Sequence, residues 1–99
     1  MGTTLKTLTK TVSSAGTAEA LSSSTLLASS FIIRAMEDNT GAVYVGDSTV
    51  DNTSGKLEPR ASISFGGNAN IGLADLASIY VDAGNNDDGV DVWYMDESP

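Results

Sequence analysis

The densest set of ligand-type side chains is Asp82-Ala-Gly-Asn-Asn-Asp-Asp-Gly-Val-Asp91. Oxygen donors this close together could hold a calcium ion. The spacing departs from the helix-loop-helix calcium site, because Val92 and Trp93 stand near where its terminal glutamate would fall. The same residues are turn formers. Asn, Asp and Gly accept left-handed backbone, and Asp88-Gly89 is by itself a hairpin signal. We read the stretch as a turn and expect no metal. Asp47, Asp51 and Asn52 form a looser cluster that reads as a solvated loop. Asn52-Thr53-Ser54 fits the glycosylation pattern, but three residues match often by chance.

Other chemistry lacks its parts. The chain has no histidine and no cysteine. That removes the usual general base, the commonest metal ligand and every thiolate site. Serines are abundant, yet no base stands at an activating spacing. Gly66-Gly-Asn-Ala-Asn-Ile-Gly72 is glycine-rich but has the wrong spacing for a phosphate loop, and no lysine follows it. The carboxylates fall in turns or on edges, where no glycosidase pocket can be argued. Neither an enzyme nor a cofactor is expected. Tyr44, Tyr80, Trp93 and Tyr94 could form a sugar-binding platform, although strand aromatics are more often core or interface.

The elements that carry these residues must fit into 99 residues, which allows a single domain. So small a domain buries only about two-thirds of its unfolded surface. Disulfides are excluded, so a partner or an oligomer is the expected extra support. The formal charge is −8, which argues against binding nucleic acid or anionic membranes. No apolar run approaches the roughly 18 residues of a membrane span, and the start lacks the apolar core of a secretory signal. The chain therefore reads as soluble. Its charge is uneven: residues 1–35 carry three cations against one carboxylate, and residues 36–99 carry two cations against 12 carboxylates. The acidic end reads as a solvated face, or as complementary to the slightly basic end of a neighbour.

Residues 1–16 are rich in Thr, Ser and Gly, with isolated Leu5, Leu8 and Val12. Their partial alternation suggests an edge strand guarded by Lys6 and Lys10, or an extended arm that orders on a neighbour. As an arm, it should be removable with the fold retained. Residues 17–99 read as the folded domain. Phe31–Met36 and Ala42–Val45 are expected as a hairpin whose turn uses a positive φ at Gly41. Ala61–Phe65 alternates with Ala61, Ile63 and Phe65 inward. Residues 73–79 suggest one helical turn leading into a strand at 79–82. Val90–Met95 is the last strand, with Val90, Val92 and Tyr94 on one face and Asp91, Trp93 and Met95 on the other. The fold class expected is all-β: one β-sandwich or jelly-roll-like domain of short antiparallel strands with an N-terminal arm.

Four segments carry a resemblance: Asn39–Asp47, Leu57–Phe65, Asp75–Ala83 and Gly89–Tyr94. They combine a VYVGDS-like strand, a Pro-containing turn before an alternating strand, a DL-x-x-IYVDA segment and a glycine turn into the last strand. Over residues 30–97 the chain resembles small structural proteins of tailed-bacteriophage virions. The resemblance implies a β-sandwich module that assembles into oligomers, frequently homotrimers, and is located in the virion. Such modules occur as capsid decoration or cement proteins, head fibres and tail components. Together with the small, acidic, Cys- and His-free composition, the expected function is a capsid decoration or cement protein that grips the major capsid protein on the outer head surface. Tail and head-fibre components are the alternatives within the virion, and a carbohydrate-binding adhesion module is the alternative outside it. Trp93 and Met95 mark the final strand as apolar on both faces, which calls for a covering segment or a subunit contact. With Leu5, Leu8 and Val12 they are the expected interface residues.

Overall fold

The alternating Thr, Val, Ile and aromatic residues build strands throughout. The computed structural model describes residues 4–66 and 74–97. In chain order the strands are β1 (Thr4–Thr11), β2 (Glu19–Ala20), β3 (Leu27–Ala35), β4 (Val43–Gly46), β5 (Lys56–Leu57), β6 (Ser62–Gly66), β7 (Ala74–Asp75), β8 (Tyr80–Ala83) and β9 (Gly89–Asp96). A single 3₁₀ turn, Leu76–Ser78, precedes β8, where the sequence suggested one helical turn. The strands form two antiparallel sheets, compatible with a sandwich. The first has the order β1-β9-β3-β6, with β7 pairing the start of β3; the second has the order β2-β8-β4-β5. The glycine-rich stretch singled out above lies, beyond Gly66, outside the described residues.

The core sits between the sheets. Phe31, Ile33, Ala35, Val90, Val92 and Tyr94 face inward from the first sheet and meet Val43, Leu57, Val81, Ala83 and Leu76. The inward side chains of β3 and β9 belong to the expected alternation, because strand side chains change face at every residue. Ile63 and Phe65 pair with Ile33 and Phe31, on that same inner side. They are nonetheless 40% and 42% exposed. Phe65 stacks on Phe31 with ring centroids 5.0 Å apart.

The expected hairpin between Phe31–Met36 and Ala42–Val45 is not formed. β3 lies in the first sheet and β4 in the second, so the connection crosses between layers. Asp88-Gly89 likewise joins strands of different sheets. Side chains divert both loops. The buried Asp88 carboxylate accepts from the Thr40 and Gly41 N–H groups at 2.9 and 3.0 Å, and from the Thr40 hydroxyl. Asn39 donates to the Gly89 carbonyl and accepts from the Gly89 N–H, both at 2.9 Å. This clasp turns the chain after β3 toward the β8–β9 loop instead of back along β3. Positive φ among the described residues falls at Gly16, Gly55, Arg60 and Asp87, not at the expected Gly41.

The clasp predicts a large effect. Asp88→Ala leaves two backbone N–H groups without their acceptor, which should cost about 2–4 kcal/mol. Asp88→Asn retains one acceptor oxygen and should cost less. Urea unfolding checks both, and equal midpoints for wild type and the alanine variant would contradict the clasp.

The N-terminal stretch is a strand of the sheet rather than a free arm. β1 pairs with β9 over eight residues, from Thr4↔Asp96 to Thr11↔Gly89. Lys6 reaches Asp96 at 2.9 Å and Lys10 reaches Glu19 at 3.0 Å. The slightly basic start of the chain therefore meets acids of its own chain. Beyond β1, Val12 is fully buried, and the Gly16 N–H donates to Asp82 at 2.9 Å. Removing residues 1–16 would thus strip one long edge of β9 and take a side chain out of the core. The expectation that such a deletion keeps the fold is withdrawn on that ground.

Candidate functional site: an open sheet face

The register fixes which residues share the outer face of the first sheet. Leu5 pairs with Met95, Thr7 with Trp93 and Thr9 with Asp91; across the sheet, Trp93 pairs with Ile32 and Asp91 with Arg34. Ser64 and Ser62 continue these rows on β6. Leu5, Met95, Trp93 and Ile32 thus form one apolar patch across three adjacent strands. Leu5 is 60% and Ile32 43% exposed, while Trp93 and Met95 are half-buried among them. The small side chains of Ser30 and Ser64 leave a trough of about 310 Å³ beside Trp93.

The expected interface residues therefore divide. Leu5, Trp93 and Met95 meet on this face. Leu8 points to the other side and packs against the core, and Val12 lies within the core, so neither is part of the patch. Ile32 was not singled out, although the sequence held the signal: with Phe31, Ile33 and Ala35 inward, Ile32 must point outward. β1 does not cover the face: it lies beside β9 in the same sheet and contributes Leu5 to it.

The electrostatics of this face are balanced. Among the described residues, the outward positions of β1, β9, β3 and β6 hold one acid and one base, Asp91 and Arg34, side by side in register. Asp91 accepts from the Thr9 hydroxyl at 2.9 Å, and Arg34 lies 3.6 Å from Glu37 at the strand end. Such a surface suits an apolar protein partner more than a charged ligand.

The acidic stretch singled out first is dispersed. Asp82 is 2% exposed and accepts from the N–H groups of Gly16 and Ala83. Asp88 is held in the clasp, and Asp91 lies on the outer face of the first sheet. A polar cleft of about 330 Å³ does adjoin Asp82, lined also by Gly16, Tyr44, Asp51 and Asn52. Asp51 accepts from the N–H and hydroxyl of Thr53, and Asp47 does the same with Thr49. Among the described residues no three carboxylates converge on a common point. The aromatic platform is likewise divided. Trp93 points outward and Tyr94 inward on one sheet, and Tyr44 and Tyr80 belong to the other.

Several carboxyls are tuned by local hydrogen bonds. The Leu26 and Ala77 N–H groups hold the Asp75 carboxyl below its ordinary value, each at 3.0 Å. The Ser13 N–H and then the Lys10 ammonium lower Glu19, and the Thr49 and Thr53 side chains lower Asp47 and Asp51. A carboxyl lowered by folding contributes stability above its unfolded value, and that contribution is lost as pH falls through the folded one. The melting temperature should therefore drop as pH is taken from about 5 toward 2. Asp75→Asn removes one titrating group and should make the drop shallower. Thermal melts at stepped pH check this; parallel curves for the two proteins would refute the assignment to Asp75.

No protein-family model, curated protein or solved structure matches this chain. The open face therefore supports a functional reading on its physical character alone. It can bind by burying apolar area against another surface, at roughly 25 cal/mol per Å² removed from water.

Proposed function

We propose that this chain is a non-enzymatic structural module of a tailed-bacteriophage virion. It decorates the outer head surface and cements the shell by bridging copies of the major capsid protein. The observation that carries the reading is four large apolar side chains, Leu5, Ile32, Ile63 and Phe65, exposed on one small sheet. A chain of −8 charge that leaves so much apolar surface open fits a life spent against other proteins. The resemblance of residues 30–97 supplies the class of partner.

The strand order supports the finer jelly-roll reading. With the two-residue β7 set aside, eight strands remain among the described residues. Numbered afresh in chain order, they lie 1-8-3-6 in one sheet and 2-7-4-5 in the other, the wrapped arrangement of a jelly roll. Viral capsid and lectin domains use that architecture. In this reading β1 acts as an edge strand. One side is bonded to β9, and the other can accept an extended strand of the capsid protein. Copies act together, since several weak contacts on one shell multiply.

Mass spectrometry of purified virions, with heads separated from tails, tests the reading. The chain is expected in the head fraction, released without loss of packaged DNA only where the shell is otherwise stable. Finding it in tails alone would move it to the tail or fibre reading, and absence from virions would overturn both.

A further inference from the structure

We propose that the outer face of the first sheet is the contact between two copies of this chain, stacked face to face about a two-fold axis. The face is the Leu5, Ile32, Trp93 and Met95 patch together with its serine and threonine surround.

Charge placement selects a second copy. Two chains of −8 repel wherever their acidic surfaces meet. On this face Asp91 is offset by its neighbour Arg34. Asp47, Asp51 and Asp82 belong to the second sheet and its loops, on the far side of the core. Sheets stack about 10 Å apart. Face-to-face pairing therefore leaves the second sheets of the two copies about 30 Å apart. That separation is several times the Debye length of about 8 Å at physiological salt. Self-association at this face thus keeps the Asp47, Asp51 and Asp82 carboxylates of the two copies apart.

The dimensions agree. β1 and β9 each run eight residues, or about 27 Å at about 3.4 Å per residue. Four strands about 4.8 Å apart make a face about 19 Å wide. Each copy would cover about 500 Å², for about 1,000 Å² in total, the lower bound of a specific interface. The pair is accordingly weak and concentration-dependent. A homotrimer, as the resemblance implies, would have to form through a different surface, because stacking two flat faces closes at two copies.

Trp93 is the only tryptophan and sits at the centre of the contact, so its emission reports pairing directly. Light scattering behind a sizing column should show mass rising with concentration from 10.2 kDa to twice that value, with Trp93 emission moving to shorter wavelength in step. Ile32→Lys should weaken pairing by at least about tenfold, the effect of placing a charge in an interface core. Ile63→Ser, on the opposite side of the same sheet, should leave pairing unchanged. Circular dichroism confirms folding, and Leu5→Lys replaces Ile32→Lys if the latter fails to fold. A monomer at every concentration overturns the proposal. So does a trimer, or undiminished pairing of the folded lysine variant. None of these results depends on the virion reading, which stands or falls on virion composition.

Discussion

Ile33→Ala is expected to destabilise the domain by about 2–5 kcal/mol, while Ile32→Ala, one residue earlier, should cost the isolated chain under about 1 kcal/mol. Ile33 is 0% exposed and packs between the sheets, so truncation removes buried methyl and methylene groups and leaves a cavity. Ile32 belongs to the same strand and has the same side chain, but it points to the open face. A small domain holds a total stability of only about 5–15 kcal/mol, so the first variant loses a large share of it. Urea unfolding of both proteins at a dilution where copies are separate is the measurement. Similar losses at the two positions would mean that the face is covered or that the register of β3 against β9 is wrong. Measured again at high concentration, Ile32→Ala should show a loss that dilution removes.

Gly89→Ala should cost about 3 kcal/mol or more. A Cβ at Gly89 would lie 2.1 Å from the Lys10 carbonyl oxygen and 2.7 Å from the Thr11 Cα. Both are backbone atoms of β1, so relief requires prising the strand away from β9. Amide exchange should then accelerate along β1 more than along β3. Gly84→Ala is the control, since the nearest atom to its Cβ is the Tyr44 hydroxyl at 3.9 Å. That change should stay within about 1 kcal/mol of wild type. If the two alanines behaved alike, the close approach of β1 to Gly89 would be refuted.

The longer strands were legible because their side chains alternate; the two-residue strands β2, β5 and β7 and the Leu27–Ser30 start of β3 carry no such pattern and were not. Phe31, Ile33 and Ala35 were assigned to one face, as were Val90, Val92 and Tyr94, and the structure places both sets in the core. The double-sided last strand was legible too, since Trp93 and Met95 have no apolar reason to face water. What could not be read was which sheet each strand joins. Glu37–Gly41 and Asp88-Gly89 carry ordinary turn chemistry, and turn residues report that the chain reverses, not what it reverses onto. Here the decision rests on Asp88 capturing Thr40 and Gly41, a contact across 47 and 48 residues. No local pattern encodes that pairing. The exposure of Ile63 and Phe65 was hidden for a similar reason. Alternation shows the side a residue faces but not how far the opposite layer reaches.

The pairing of β1 with β9 has a kinetic consequence. No two of the four strands β1, β9, β3 and β6 are consecutive in sequence, and Thr4 is bonded in register with Asp96. The first sheet therefore has no local nucleus and must close long loops before any of its ladders forms. Such high contact order belongs with folding in milliseconds to seconds rather than microseconds. β9 also separates β1 from β3, so β1 has no partner in this sheet until β9 is present, while β3 can pair beforehand with β6 along its other edge alone. During synthesis, the Leu5 segment and the open edge of β3 would wait exposed until Gly89–Asp96 had emerged, which makes the nascent chain most prone to aggregate just before that strand arrives.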